Sequence, residues 1–87
     1  MYVIMVYDVC EKRVNKVLGI GRKYLNWVQN SVLAGEISSA QFERLKAEVL
    51  GVIEEEEDFV LFYKVRIERQ LKKEKLGTPK SEPTLFI

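Results

Sequence analysis

The chain has 87 residues, 47% of them hydrophobic, and 14 Lys and Arg against 13 Asp and Glu give a net charge of +1. That apolar fraction excludes a disordered chain. A chain of this length buries only about 60% of the surface its unfolded form exposes, so a second copy is an expected source of extra core. The absence of histidine and the presence of a lone cysteine, Cys10, exclude Ser-His-Asp and Cys-His catalysis, His-ligated zinc and an intrachain disulfide, and make the cytoplasm the natural compartment.

Residues 2–8 read as a strand. Val3, Met5 and Tyr7 occupy one parity and Tyr2, Ile4 and Val6 the other. Apolar residues on both parities predict a strand covered on both faces. The chain thus begins with a strand and lacks a positive n-region, so no signal peptide is expected. No apolar stretch reaches the roughly 20 residues that cross a bilayer, so no membrane partner is expected.

Residues 11–24 read as a helix whose apolar stripe is Val14, Val17, Leu18, Gly21, Tyr24 and Leu25. Gly19 and Gly21 weaken its last turn. Residues 25–33 alternate, with Leu25, Trp27, Gln29 and Ser31 against Asn26, Val28, Asn30 and Val32, and read as a second strand. Gly35 reads as a turn or bulge, with a brief third strand at Glu36-Ile37. Ser38 to Gln41 matches a capping box, with Ile37 and Phe42 placed as a hydrophobic staple. The helix it opens carries Phe42, Leu45, Val49, Val52 and Ile53 on one stripe and is expected to stop by about Glu55, because the acidic run Glu54–Asp58 opposes the macrodipole there.

Phe59 to Val65 is the strongest strand. Lys75-Leu76-Gly77 is expected to form a short edge strand. Pro79 and Pro83 punctuate a polar linker before Leu85-Phe86-Ile87, an apolar tripeptide expected to dock by adding a strand to a neighbouring sheet edge. The order βαββαβ is the ferredoxin-like plan, an α+β fold. It is read as one domain over 1–87, with a core at 1–77 and a linker and docking strand at 78–87. Two helices cover one sheet face, so an apolar second face implies packing on another copy of the chain.

Charge is segregated. Lys12, Arg13, Lys16, Arg22 and Lys23 fall in one stretch, Lys64, Arg66, Arg69, Lys72, Lys73 and Lys75 in another, and residues 36–58 are acidic. Such a distribution points to a polyanion face despite a near-neutral total.

Asp8 is the residue most suited to chemistry. A carboxylate at the end of a buried strand, beside cations, suits a hard cation such as Mg²⁺, which takes oxygen ligands and keeps waters. It equally suits a turn or N-cap residue opening the first helix, and the two readings are compatible. One carboxylate is too few for a metal site, so two chains meeting near the strand ends would share one ion. Lys12, Arg13 and Lys16 read either as phosphate contacts or as a solvated helix face. Gln29, Asn30 and Ser31 read either as hydrogen-bond donors to phosphate or as one wet strand face. Tyr24, Trp27, Phe59, Phe62 and Tyr63 read as core, and Cys10 as a small buried hydrophobe.

Tyr7-Asp8 closing the first strand, the basic helix, Trp27-Val28-Gln29-Asn30-Ser31-Val32, Gly35-Glu36 and Phe62-Tyr63 together resemble the CRISPR-associated protein 2 family, the small dimeric subunit of the spacer-acquisition machinery. The resemblance covers about residues 1–65. It implies a ferredoxin-like homodimer whose C-terminal strand adds to the partner's sheet. It also implies a role beside the CRISPR-associated integrase, bridging its copies and holding DNA. Members of the family include metal-dependent endonucleases acting on single-stranded RNA or double-stranded DNA, and others whose role is structural. The resemblance places the Mg²⁺ or Mn²⁺ ligand and catalytic centre at Asp8 and the nucleic-acid contacts at Lys12, Arg13 and Lys16. Val9-Cys10-Glu11 and Leu33-Ala34 depart from the family's usual pattern. Two other classes fit the fold plan less well. Acyl phosphate hydrolysis lacks its glycine-rich anion loop here, and a ligand-sensing or assembly module would show no salt-dependent retention on DNA.

Overall fold

The computed structural model describes residues 1–77. Its elements are β1 (Tyr2–Asp8), α1 (Glu11–Arg22), β2 (Asn26–Gln29), β3 (Val32–Glu36), α2 (Ser39–Leu50) and β4 (Phe59–Val65), followed by a 3₁₀ turn at Glu68–Gln70. The strands form an antiparallel sheet in the order β2-β3-β1-β4. This is the βαββαβ, α+β arrangement expected from the element order. The docking strand expected at Leu85-Phe86-Ile87 lies outside the described residues.

β1 is a central strand, and its alternation sets the two faces of the sheet. Val3, Met5 and Tyr7 join Leu33 of β3, Val17 of α1 and Phe42, Leu45 and Val49 of α2 in one core. Both helices therefore pack on this face. The other parity faces away from them. Ile4 lies between Ala34 and Tyr63, Val6 between Val32 and Leu61, and Asp8 opposite Phe59. Phe59 and Tyr63 are 59% and 56% exposed. The expectation that they are core is therefore corrected, whereas Tyr24, Trp27 and Phe62 do pack against the core; Phe62, of the opposite parity in β4, meets Phe42 edge-on at 5.2 Å.

The segment 25–33 is not one strand. β2 ends at Gln29, the chain reverses at Asn30 and Ser31, and β3 begins at Val32. Asn30 takes φ 41°, a left-handed conformation that Asn tolerates in tight turns. A register shift between Trp27 and Gln29 absorbs one residue as a bulge. Gly35 is not the turn; it lies inside β3, buried. Lys75-Leu76-Gly77 forms no strand, and Leu76 is 97% exposed.

The Ser38 capping box forms as expected. Gln41 N–H donates to Ser38 Oγ at 3.1 Å, and Ser38 N–H donates to Gln41 Oε1 at 2.9 Å. Ile37 and Phe42 are both in the core. α2 stops at Leu50, within the limit expected, so the acidic run lies wholly beyond the helix, where the macrodipole has no hold on it. At the far ends of the helices Glu48 accepts from both Lys23 Nζ and Tyr24 Oη, tying α1 to α2.

Asp58 is the last residue of the acidic run, and its side chain is fully buried. It accepts four hydrogen bonds: from Cys10 N–H at 2.8 Å, Glu54 N–H at 2.9 Å, and Arg13 Nε and Nη2 at 2.6 and 3.2 Å. Arg13 Nη2 also reaches Glu57 at 2.7 Å. A buried carboxylate is tolerable only when paired and saturated with donors, and here both conditions are met. The loop before β4 is thereby pinned to the start of α1.

The two glycines of α1 test the packing in opposite directions. A Cβ on Gly19 would meet nothing within 4 Å, whereas one on Gly21 would fall 2.6 Å from Leu33 Cδ1 in the fully buried core. Thermal melts are expected to show Gly19→Ala stabilising by about 0.5–1 kcal/mol. Gly21→Ala is expected to cost about 1–3 kcal/mol from overpacking, despite its gain in helix propensity.

Arg13 holds the Asp58 carboxyl well below the usual carboxylate range, aided by the Glu54 and Cys10 amides and opposed by burial. The folded state thus takes up this proton less readily than the unfolded chain. The contribution is complete above the ordinary Asp value of about 4 and is lost as pH falls below it toward the folded value. Denaturant midpoints measured from pH 7 downward are expected to fall more gently in Asp58→Asn than in the wild type, from a lower starting stability at pH 7.

Candidate functional site

Asp8 is the last residue of β1, and strand alternation puts it on the sheet face away from the helices. It is exposed, and among the described residues its carboxylate makes no hydrogen bond or ion pair. The N-cap position of α1 belongs to Cys10, and no side chain caps that helix. Asp8 therefore does not serve as the cap that sequence pattern allows for. The backbone N–H of Cys10 is satisfied from across the fold by Asp58 instead. Cys10 is exposed rather than buried as expected, because its position ahead of the first helical turn faces solvent.

The turn between β2 and β3 reaches the same end of the sheet. Tyr7 N–H donates to Ser31 O at 3.1 Å, which brings Asn30 and Ser31 beside the residue preceding Asp8. Trp27 Nε1–H donates to Asn30 O at 2.9 Å and helps hold the turn. The polar stretch 29–31 is thus a hairpin tip next to Asp8.

The three cations at the start of α1 differ in what they can do. Lys12 and Lys16 are exposed, one helical turn apart on a shared face, and neither forms an ion pair among the described residues. Arg13 is 14% exposed, and its guanidinium is engaged by Asp58 and Glu57. The second basic stretch is also partly compensated: Lys73 pairs with Glu68 at 3.0 Å.

Among the described residues no group of three or more His, Cys, Asp or Glu is placed to hold a metal ion. One chain therefore offers one free carboxylate at this position. That donor suits a half-site for Mg²⁺ or Mn²⁺, hard cations that take carboxylate oxygens and keep several waters. Sequence reasoning missed Asp58, which looks like one more surface acid in a run of five. The one signal was its position: it alone of the run directly precedes a strand.

The sequence pattern of the family described as CRISPR associated protein Cas2 matches residues 1–73. The chain is 55% identical over 82 residues to the CRISPR-associated endoribonuclease Cas2 of Dictyoglomus turgidum, covering 94% of both chains. It is 57% identical over 82 residues to that of Thermotoga maritima, again covering 94% of both. Two solved structures are similar: a Cas2 crystal structure with TM-score 0.83 at 39% identity, covering 100% of this chain and 98% of that one, and Streptococcus pyogenes Cas2 with TM-score 0.75 at 30% identity, covering 88% and 100%. The chain belongs to the CRISPR-associated Cas2 family.

Proposed function

We propose that this chain is a homodimeric, nucleic-acid-binding subunit of CRISPR spacer acquisition and a metal-dependent endonuclease, with catalysis centred on two Asp8 carboxylates that share one Mg²⁺ or Mn²⁺. The observation that carries this reading is an exposed carboxylate without a partner among the described residues, at the edge of an uncovered apolar sheet face. An apolar face bearing Phe59, Leu61 and Tyr63 calls for a partner. In a two-fold dimer each residue on that face has a mate, so covering it brings a second Asp8 to the assembly. The name endoribonuclease, borne by the relatives from D. turgidum and T. maritima, supports phosphodiester cleavage as the reaction.

Asp8 would hold the ion through its carboxylate oxygens and leave most of the coordination sphere to water and phosphate. When bound, such an ion activates water and offsets the charge developing on the scissile phosphate. Lys12 and Lys16 would contact phosphates as point charges, which bind a backbone without reading its sequence. Arg13 would act at the same helix start, fixing its direction through Asp58. With no histidine in the chain, no side chain has an ordinary pKa suited to proton transfer at neutrality.

A second reading is a DNA-bridging scaffold for the CRISPR-associated integrase without physiological catalysis. The sparseness of the site, one free acid per chain and no histidine, favours it. Side-by-side assays of wild type and Asp8→Ala on single-stranded RNA and duplex DNA separate the two. The endonuclease reading expects Mg²⁺-dependent cleavage by wild type, loss to background in Asp8→Ala and with EDTA, and an unchanged dimer by size. Equal cleavage by both proteins overturns the assignment to Asp8. Absence of cleavage by either, with nucleic acid still bound, favours the scaffold.

A further inference from the structure

We propose that Asp58 is a positioning residue for the Asp8 site, a role that rests on the reading of Asp8 as the metal ligand. Asp8 is fixed upstream by its place in the ladder, where it pairs with Phe59. Downstream, the chain leaves the sheet through Val9 and Cys10 before α1 begins at Glu11. That two-residue junction has no capping side chain of its own. Its restraint comes from Asp58, which accepts Cys10 N–H at 2.8 Å and is itself the residue preceding Phe59. One carboxylate thus holds both sides of Asp8, the partner strand before it and the helix start after it.

Asp58 is well suited to this task. Its side chain is fully buried, so its rotamer is set by packing. Its two oxygens share donors from three separate places: the Cys10 amide, the Glu54 amide and the Arg13 guanidinium. Glu54 N–H closes the acidic loop on itself, and Arg13 carries the restraint one turn into α1. A ligand held only by its own strand end would sample several directions, and a buried, hydrogen-bonded support that removes this freedom typically matters about 10–100-fold for metal affinity or activity. Arg13 acquires a second role in this arrangement. Its charge is used to hold Asp58, and Lys12 and Lys16 on either side are left to face a phosphate backbone.

The test is Mn²⁺ binding to the purified protein, followed by the electron paramagnetic resonance of free Mn²⁺, for wild type, Asp8→Asn, Asp58→Asn and Ile37→Ala. Ile37 is buried at the opposite end of β1, where its N–H bonds to Met1 O, so its truncation destabilises the fold without touching the Asp8 junction. Asp58→Asn is expected to weaken Mn²⁺ binding about tenfold or more, while Ile37→Ala binds as the wild type does. Wild-type affinity in Asp58→Asn, with binding lost in Asp8→Asn, overturns the proposal and leaves the Asp8 site standing. Equal weakening in Ile37→Ala also overturns it, because the effect would then be general loss of stability. No binding by the wild type, or undiminished binding by Asp8→Asn, overturns the reading of Asp8 itself. If Asp58→Asn does not fold, Arg13→Gln takes its place; it leaves Asp58 its two backbone donors, is expected to weaken binding in the same direction, and unchanged affinity there overturns the proposal.

Discussion

β1 is hydrogen-bonded on both edges and covered by helices on one face only, and the rest of the structure follows from that constraint. A strand's side chains alternate, so the residues that build the core and those that face away are interleaved along seven positions, Tyr2–Asp8. Val3, Met5 and Tyr7 are committed to the helices. Ile4, Val6 and Asp8 are thereby committed to the opposite face. A slip of one residue in register would bury Asp8 and expose Met5, which the fully buried Met5 and Leu33 do not permit. The position of the acid is thus a by-product of core packing, and it needs no local device of its own to face outward.

The second constraint is the junction after β1. A strand that turns directly into a helix leaves amide donors without partners. The usual remedy is a side chain at the N-cap, and Cys10 supplies none. The fold uses a distant carboxylate instead, 48 residues on. Burying that carboxylate is tolerable because Arg13 and two amides surround it, and among the described residues no buried side-chain nitrogen or oxygen is left without a partner. The arrangement links the stability of the helix start to that of the loop before β4. It also explains why an arginine in a basic helix is not simply a surface cation.

Much of this was legible in the residues. The first and last strands, the Ser38 cap and the stripe of α2 rest on local patterns that tertiary contacts reinforce. The hairpin inside 25–33 was not legible, because period-two alternation continues across the reversal and only Asn30 marks the turn. Gly35 misled for the opposite reason: a glycine reads as punctuation, yet here it lies in a strand where an added Cβ would sit 3.5 Å from Leu25 Cα. Phe59 and Tyr63 read as core in sequence because a sequence does not say which face of a sheet is covered. Asp8 was visible as a position, whereas Asp58 was hidden in a run of acids whose other members are exposed. Its burial depends on Arg13, 45 residues away, and no local rule couples the two.

In the proposed function the Asp8 site would belong to two chains, each giving one carboxylate. The most direct measurement is therefore the number of Mn²⁺ ions bound per chain at saturation, in protein whose dimeric state is established by its mass in solution. A shared site gives about one ion for every two chains, abolished by Asp8→Asn. One ion per chain, or the same affinity in a monomer, would contradict a site shared across the sheet face.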